Sequence, residues 1–152
     1  MPPMDTEKAY REIVALAGGR DAARAVVNYL HDRLPAYSWV GLYWVAGRDL
    51  VLGEWTGPEA TEHTRIPIGR DVCGAAAASG RTEVVSDVSK DPRYLACFPP
   101  TKAEIVVPIV AAGKVIGEID VDGRELNAFG PKDQRFLERV AEVLARMRVG
   151  ER

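Results

Sequence analysis

The chain has 152 residues, of which 47% are hydrophobic and 28% are charged, a length and composition that suit one soluble domain with a hydrophobic core. Its formal net charge of −2 and its scattered basic residues give no support to nucleic acid or an anionic membrane as a partner. No apolar run is long enough to span a bilayer and the first residues lack a signal-peptide pattern, so we expect a cytoplasmic protein with a single domain over residues 1–152.

Hydrophobic periodicity and turn residues predict helices at both ends of the chain and strands between them. In chain order, the predicted elements are helices over 5–17 and 22–34, strands over 37–45, 50–55 and 63–68, a short helix over 73–79, a strand over 82–85, a loop over 86–100, a hairpin of strands 104–110 and 114–121, and a helix over 129–147. Short turns between the strands favour an antiparallel sheet with helices packed on it, so the predicted fold class is α+β.

The loop at 111–113 decides which side chains of the predicted hairpin share a face. A three-residue loop places its third residue in the left-handed region, which Gly113 suits, and this register puts Glu104 opposite Asp120. One face is then apolar, and the other carries Asp122 beside these two acids. Like charges this close raise one another's pKa, so the face predicts a proton donor or a site for a ligand ammonium. A solvated polar face without chemistry is the alternative.

The two cysteines lie on separate turn-like segments. Cys73 is close to the start of a predicted helix, where the helix dipole favours a thiolate and lowers the thiol pKa. Cys97 lies in a loop that ends in Pro99-Pro100, where a thiol can be exposed. In the cytosol such thiols are more often reduced, catalytic or metal-binding than joined in a permanent disulfide, although buried inert thiols are also common.

Two aromatic side chains of the first predicted strand, Trp39 and Tyr43, are an even number of residues apart and therefore point to the same face. Tyr37 and Gly41 are predicted to share that face, and Gly41 leaves room for a ligand. Aromatic rings near carboxylates form a pocket for a small cation or a methyl group, while core packing is the alternative for either ring alone.

Several segments together resemble the GAF domain family, and they extend over nearly the whole chain: 66–69, 72–76, 86–88, 91–94, 104–108, 117–122 and 129–133. Within that family the chain most resembles the free methionine-(R)-sulfoxide reductases, whose Val-Cys-Gly and Ile-Ala-Cys motifs have the spacing of Cys73 and Cys97. The resemblance implies a GAF fold, with the terminal helices on one face of a central antiparallel sheet and a ligand pocket on the other.

The resemblance also implies a role for each matched residue. Cys97 attacks the sulfoxide sulfur, methionine leaves, and Cys73 resolves the sulfenic acid to a disulfide that a thioredoxin-like reductant reopens. The substrate is held by three acids and two aromatic residues: Glu104, Asp120, Asp122, Trp39 and Tyr43. No bound cofactor and no metal are implied.

Four positions depart from the family pattern. His63 stands where members usually have a further cysteine, and Phe98 stands where an acid usually follows the nucleophile. Asp71 replaces a glycine, and Gly123 replaces a serine. Two other function classes stay open: a small-molecule sensor or binding module, and, ranked lowest, a metal or redox site.

We also expect a homodimer formed by the N- and C-terminal helices. Its seam is predicted on the apolar stripe of residues 22–34, which can equally pack on the sheet of its own chain.

Overall fold

The computed structural model describes residues 5–94 and 100–150, and within them the predicted order of elements is confirmed. The helices are α1 Thr6–Leu16, α2 Ala22–Arg33, α3 Asp71–Ser79 and α4 Pro131–Gly150, with a single 3₁₀ turn at Val88–Lys90. The strands are β1 Trp39–Ala46, β2 Asp49–Thr56, β3 Arg65–Pro67, β4 Glu83–Val85, β5 Ala103–Ala111 and β6 Lys114–Gly123.

The six strands form one sheet in the order β3-β2-β1-β6-β5-β4, and every neighbouring pair is antiparallel. The two longest hairpins, β1–β2 and β5–β6, therefore meet at the centre of the sheet through β1 and β6. Antiparallel pairing with helices segregated by face is the α+β arrangement that the sequence predicts.

A hydrophobic core lies on each face of this sheet. The larger core packs α1, α2 and α4 on one face, and the smaller core packs α3 on the other. The apolar stripe of α2 is buried in the larger core, where Val26, Val27 and Leu30 are fully enclosed by their own chain. This stripe is therefore used within the chain and is not a free seam, while the homodimer itself stays a prediction.

The register of the β5–β6 hairpin differs from the predicted one. Ala111 pairs with Lys114, so the turn has two residues, Ala112 and Gly113, both with positive φ of 52° and 77°. The register then shifts, because Ile109 pairs with Gly117 while Val110 pairs with Val115, which leaves Ile116 as an extra residue in β6.

The turn and the bulge together restore the face that the sequence analysis predicted for the acids. Glu104 pairs with Asp122 rather than with Asp120, but all three acids still lie on one face. Only Val115 and Ile116, at the bulge and on its turn side, change sides. Val115 packs with the smaller core and Ile116 with the larger one. The turn and the bulge each shift the register by one residue, and the total shift of two leaves the acids on the predicted face because side chains alternate with a period of two.

Pro108 lies where β5 no longer has β4 beside it, since the β4–β5 pairing ends at Val106. Its missing N–H therefore removes no bond from that side, and the register shift of the hairpin lies just beyond it, between Ile109 and Val110. Among the described residues, no helix is long and apolar enough to cross a membrane.

Candidate active site

Four acidic side chains lie on the sheet face that α3 covers, and all are buried. Glu104 on β5 is 5% exposed, and Glu118, Asp120 and Asp122 on β6 are 0%, 4% and 2% exposed. The three acids of β6 alternate along one strand and so point to one side. A solvated polar face, the alternative considered above, is therefore wrong for these residues, because they have almost no contact with water.

Cys73 approaches this acid row from α3. Its Sγ lies 3.5 Å from Asp120 Oδ2 and 4.0 Å from Glu104 Oε2, and the residue is 4% exposed. The thiol and the two carboxylates offer ligand atoms that all lie within 4.8 Å of one another. The sequence prediction that no metal binds here stays a prediction.

The start of α3 is fixed by backbone contacts around Gly74. The Gly74 N–H donates to Asp71 Oδ1 at 2.9 Å, and the Gly69 N–H donates to the Gly74 carbonyl at 2.9 Å. A Cβ on Gly74 would lie 2.7 Å from the Pro67 carbonyl oxygen, so only glycine permits this approach. The aspartate that departs from the family pattern thus caps α3 and orients the turn that carries Cys73.

The pKa of the Cys73 thiol is raised well above its ordinary value, and the prediction of a lowered pKa is wrong. Burial is the main cause, and the negative charges of Asp120, Glu118, Glu104 and Asp71 add to it in that order. A helix N-terminus favours a thiolate, but desolvation and four nearby carboxyls outweigh that dipole.

Burial also raises the pKa of the carboxyls. It is the first cause for Glu118 and Asp122, where the charge of Asp120 adds to it, and for Asp120 itself. The pKa of Asp71 is raised to about 6, mainly by burial. Burial therefore favours the protonated form of these carboxyls, and a positive charge beside them would favour the ionised form.

Several of these carboxyl oxygens have no hydrogen-bond partner among the described residues. They are both oxygens of Glu118, Oδ1 of Asp120 and Oδ1 of Asp122. Buried polar atoms without partners cost stability, and native proteins keep few of them. A row of such atoms fits a ligand that brings its own N–H donors.

The aromatic residues predicted for the pocket lie beside the acids. Trp39 pairs across the strands with Asp122, and Tyr43 pairs with Glu118. Trp39 stacks on Trp55 at a ring distance of 6.1 Å, and its Nε1 donates to the Glu59 carbonyl at 3.1 Å. Gly41 lies between them, as predicted.

The structure differs from the predicted aromatic face in two details. A Cβ on Gly41 would lie 2.3 Å from the Trp39 ring, so the missing side chain makes room for tryptophan rather than directly for a ligand. Tyr37 precedes β1 and belongs to the larger core, where its hydroxyl donates to Asp133 at 2.8 Å. Its predicted place on the pocket face is wrong, because the strand begins only at Trp39.

His63 lies at the edge of the same region. Its carbonyl accepts a hydrogen bond from the Tyr43 hydroxyl at 2.7 Å, and its ring lowers the pKa of Asp71 slightly against the larger effect of burial. Cys97 and Phe98 lie outside the described residues. The nucleophile prediction for Cys97 therefore remains a prediction.

Without ligand, the free energy of unfolding should fall as the pH rises from about 5 to 8. The folded protein keeps protons on buried carboxyls that the unfolded chain loses above about pH 4, so the folded state binds more protons in this window. The folded protein loses this extra proton at about pH 6 from Asp71 and at a higher pH from Asp122. Each group contributes at most about 1.4 kcal/mol per pH unit.

Urea unfolding at pH 5, 6, 7 and 8 measures this slope, and Asp122→Asn should make it shallower. Asp87 and Asp91 have lowered pKa values, so they make the free energy of unfolding rise with pH, but only below about pH 4. A stability that stayed constant or rose over this range would contradict protonated carboxyls in the folded state.

Comparison with known proteins identifies the family of the chain. The sequence profile of the GAF domain matches residues 5–147, and the chain belongs to the GAF domain family. Protein YtsP of Bacillus subtilis is 37% identical to it, over 92% of this chain and 91% of its own length. The free methionine-R-sulfoxide reductase of Escherichia coli is 33% identical, over 90% of this chain and 84% of its own.

The similarity extends to solved structures. The X-ray structure of free methionine-R-sulfoxide reductase from Neisseria meningitidis in complex with its substrate superposes with a TM-score of 0.89. The two sequences are 32% identical, and the match covers 97% of this chain and 92% of that one. Within the GAF domain family, the chain is thus related to the free methionine-R-sulfoxide reductases.

Proposed function

We propose that this protein reduces free L-methionine-(R)-sulfoxide to methionine, with Cys97 as the nucleophile and Cys73 as the resolving thiol. The observation that carries the proposal is the Cys73 sulfur, which lies 3.5 Å from Asp120 inside a buried row of acids. A thiol, several enclosed carboxyls and an aromatic wall are the groups that this reaction requires in one pocket. The relatives with this activity reinforce it.

The acid row supports recognition of a free amino acid. Glu104 and Asp122 pair across β5 and β6, and oxygens of Asp120 and Asp122 lack partners among the described residues. A substrate ammonium supplies three N–H donors and a positive charge, which stabilises the ionised form of these carboxyls. A peptide-bound methionine sulfoxide has no such ammonium, so the site should reject it.

The redox steps balance without a bound cofactor. The Cys97 sulfur takes the oxygen from the sulfoxide, which leaves as methionine, and Cys97 is oxidised to a sulfenic acid. Cys73 then attacks that sulfur, a disulfide forms, and water leaves. A dithiol protein of the thioredoxin type reduces the disulfide and restores both thiols.

The aromatic residues shape the other side of the pocket. Trp39 and Tyr43 are both nearly inaccessible to water and lie on the strand next to the acids. We propose that their rings enclose the methyl group on the substrate sulfur and exclude water from it. We also propose the homodimer and the cytoplasmic location that the sequence predicts. Neither of them contributes a residue to the site described here.

A thioredoxin-coupled assay of the reduced protein tests the function directly. Free methionine-(R)-sulfoxide should be converted to methionine, while the (S)-isomer and a peptide-bound sulfoxide should not be. Mild oxidation should also produce an intramolecular Cys73–Cys97 disulfide detectable by mass spectrometry. Binding of the sulfoxide with no methionine released under excess reductant would instead identify a GAF sensor or binding module.

A further inference from the structure

The proposed substrate has a charged group that the acid row leaves without a partner. A free amino acid carries an α-carboxylate beside its ammonium, and both groups are attached to the same carbon atom. The charged side chains of the row are all carboxyls, and the aromatic wall adds no charge to them. Recognition of a free amino acid therefore calls for a cation close to the end of the row where the ammonium binds.

A narrow opening lies at the Glu104–Asp122 end of the acid row. It is lined by Trp39, Thr101 and Arg124 among others. Trp39 pairs with Asp122 across the strands, and paired side chains lie on the same face of a sheet, so the opening and the acid share that face. The opening has a volume of only about 20 Å³, so it suits the end of a ligand whose body lies deeper in the pocket.

The main chain that leads to Arg124 is held from both sides. The Asp122 carbonyl accepts hydrogen bonds from the Ser38 N–H at 2.9 Å and from the Ser38 hydroxyl at 2.8 Å. The carbonyl of Gly123, the last residue of β6, accepts from the Lys102 N–H at 2.9 Å. The residues that precede β1 and β5 thus fix where Arg124 leaves the sheet, directly beyond the acid row.

The Arg124 side chain is exposed and forms no ion pair within residues 5–94 and 100–150. Glu59 is the other charged residue that lines the opening, and its described contact is a backbone one, through the carbonyl that accepts from Trp39 Nε1. The planar guanidinium of Arg124 is therefore open to a bidentate contact with a carboxylate, the geometry that arginine matches best.

We propose that Arg124 is a specificity-determining residue, whose guanidinium binds the α-carboxylate of free methionine sulfoxide while Glu104 and Asp122 hold its ammonium. The side chain of the substrate then extends along the row toward Asp120 and Cys73, which lie 3.5 Å apart. This inference rests on the proposed function.

The contact with Arg124 separates a free amino acid from the first residue of a peptide. An N-terminal methionine sulfoxide also has a free ammonium, so the acids alone would accept it. Its carboxyl group is part of a peptide bond and carries no charge. Its affinity is therefore lower, because a hydrogen bond between two charged groups is stronger than one to a neutral carbonyl.

Steady-state kinetics with two substrates test this role. Methioninol (R)-sulfoxide has the ammonium and the sulfoxide of the amino acid but a hydroxyl in place of the carboxylate. Wild-type protein should prefer the amino acid by about 10- to 100-fold in kcat/KM. In Arg124→Gln this preference should disappear, because KM for the amino acid rises while its kcat and the kinetics of methioninol sulfoxide stay unchanged. Arg124→Lys should keep part of the preference.

Two control variants distinguish a direct contact from a general change in charge. Lys102→Gln and Arg135→Gln each remove one positive charge from an exposed side chain. Lys102 lies at the same end of the sheet, and Arg135 lies on α4, which packs on the opposite face. Both variants should keep the wild-type preference. Arg124→Gln should keep the wild-type melting temperature, because the residue is exposed.

A wild-type preference for the amino acid in Arg124→Gln would overturn the inference and leave the proposed function intact. An equal loss of both substrates in that variant, or a selective loss in Lys102→Gln, would overturn it as well. If wild-type protein converts neither sulfoxide, the proposed function fails. Calorimetric titration with methionine and methioninol then tests the carboxylate contact by itself, since only the affinity for methionine should fall in Arg124→Gln.

Discussion

Cys97→Ser should abolish reduction of free methionine-(R)-sulfoxide, whereas Cys73→Ser should release about one methionine per subunit and then stop. The attacking thiol is needed to release the product, while the resolving thiol is needed only to restore the nucleophile. Rapid-quench measurement of methionine, with and without the dithiol reductant, distinguishes a first turnover from steady-state activity.

The outcome that would contradict these roles is equally specific. A full steady-state rate in Cys73→Ser would mean that the reductant attacks the sulfenic acid directly and that the buried thiol has another task. A burst of methionine from Cys97→Ser would assign the nucleophile to Cys73, the one cysteine among the described residues. Because that thiol has a raised pKa, we expect no such burst.

Glu104→Gln and Asp122→Asn should each lower kcat/KM by about 100-fold, which corresponds to roughly 2.7 kcal/mol. Each substitution preserves the size of the side chain but removes one negative charge from a buried pair across β5 and β6. The substrate ammonium then enters a site with less compensating charge. Steady-state kinetics across sulfoxide concentrations measure the effect.

A matched control and an affinity measurement make this result specific. Glu142→Gln removes a charge from an exposed acid of α4 and should retain wild-type kinetics. Calorimetric titration with methionine, which carries the same ammonium but no reactive oxygen, should show weaker binding for the two site variants. Unchanged methionine affinity in both variants would mean that these two acids do not bind the substrate ammonium.

The fold and the shared face of the acids were predictable because alternation in strands is a local property. The sequence places Glu104, Asp120 and Asp122 on one face even though the predicted turn was wrong, since the turn and the bulge at Ile116 each change the register by one residue. No local signal distinguishes that combination from a three-residue loop. Only the paired strands show which is adopted.

The properties that depend on long-range neighbours were not predictable. The helix start near Cys73 is visible in sequence, but the carboxyls that raise its pKa come from β5 and β6 as well as from α3. Glu118 follows the same alternation as Asp120, which is the signal that could have identified it. An acid at an alternate strand position is more typical of a solvated face, so its complete burial is known only from the structure.

The bulge of the β5–β6 hairpin gives its surface turn a tolerance to changes in length. Deleting a single residue between Ala111 and Gly117 can be absorbed by loss of the bulge, because a two-residue turn followed by a regular ladder still places Ile109 opposite Gly117. Glu104 then stays opposite Asp122, and the carboxyls of β6 keep their face. The bulge therefore separates the chemistry of the acid row from the number of residues in a surface turn.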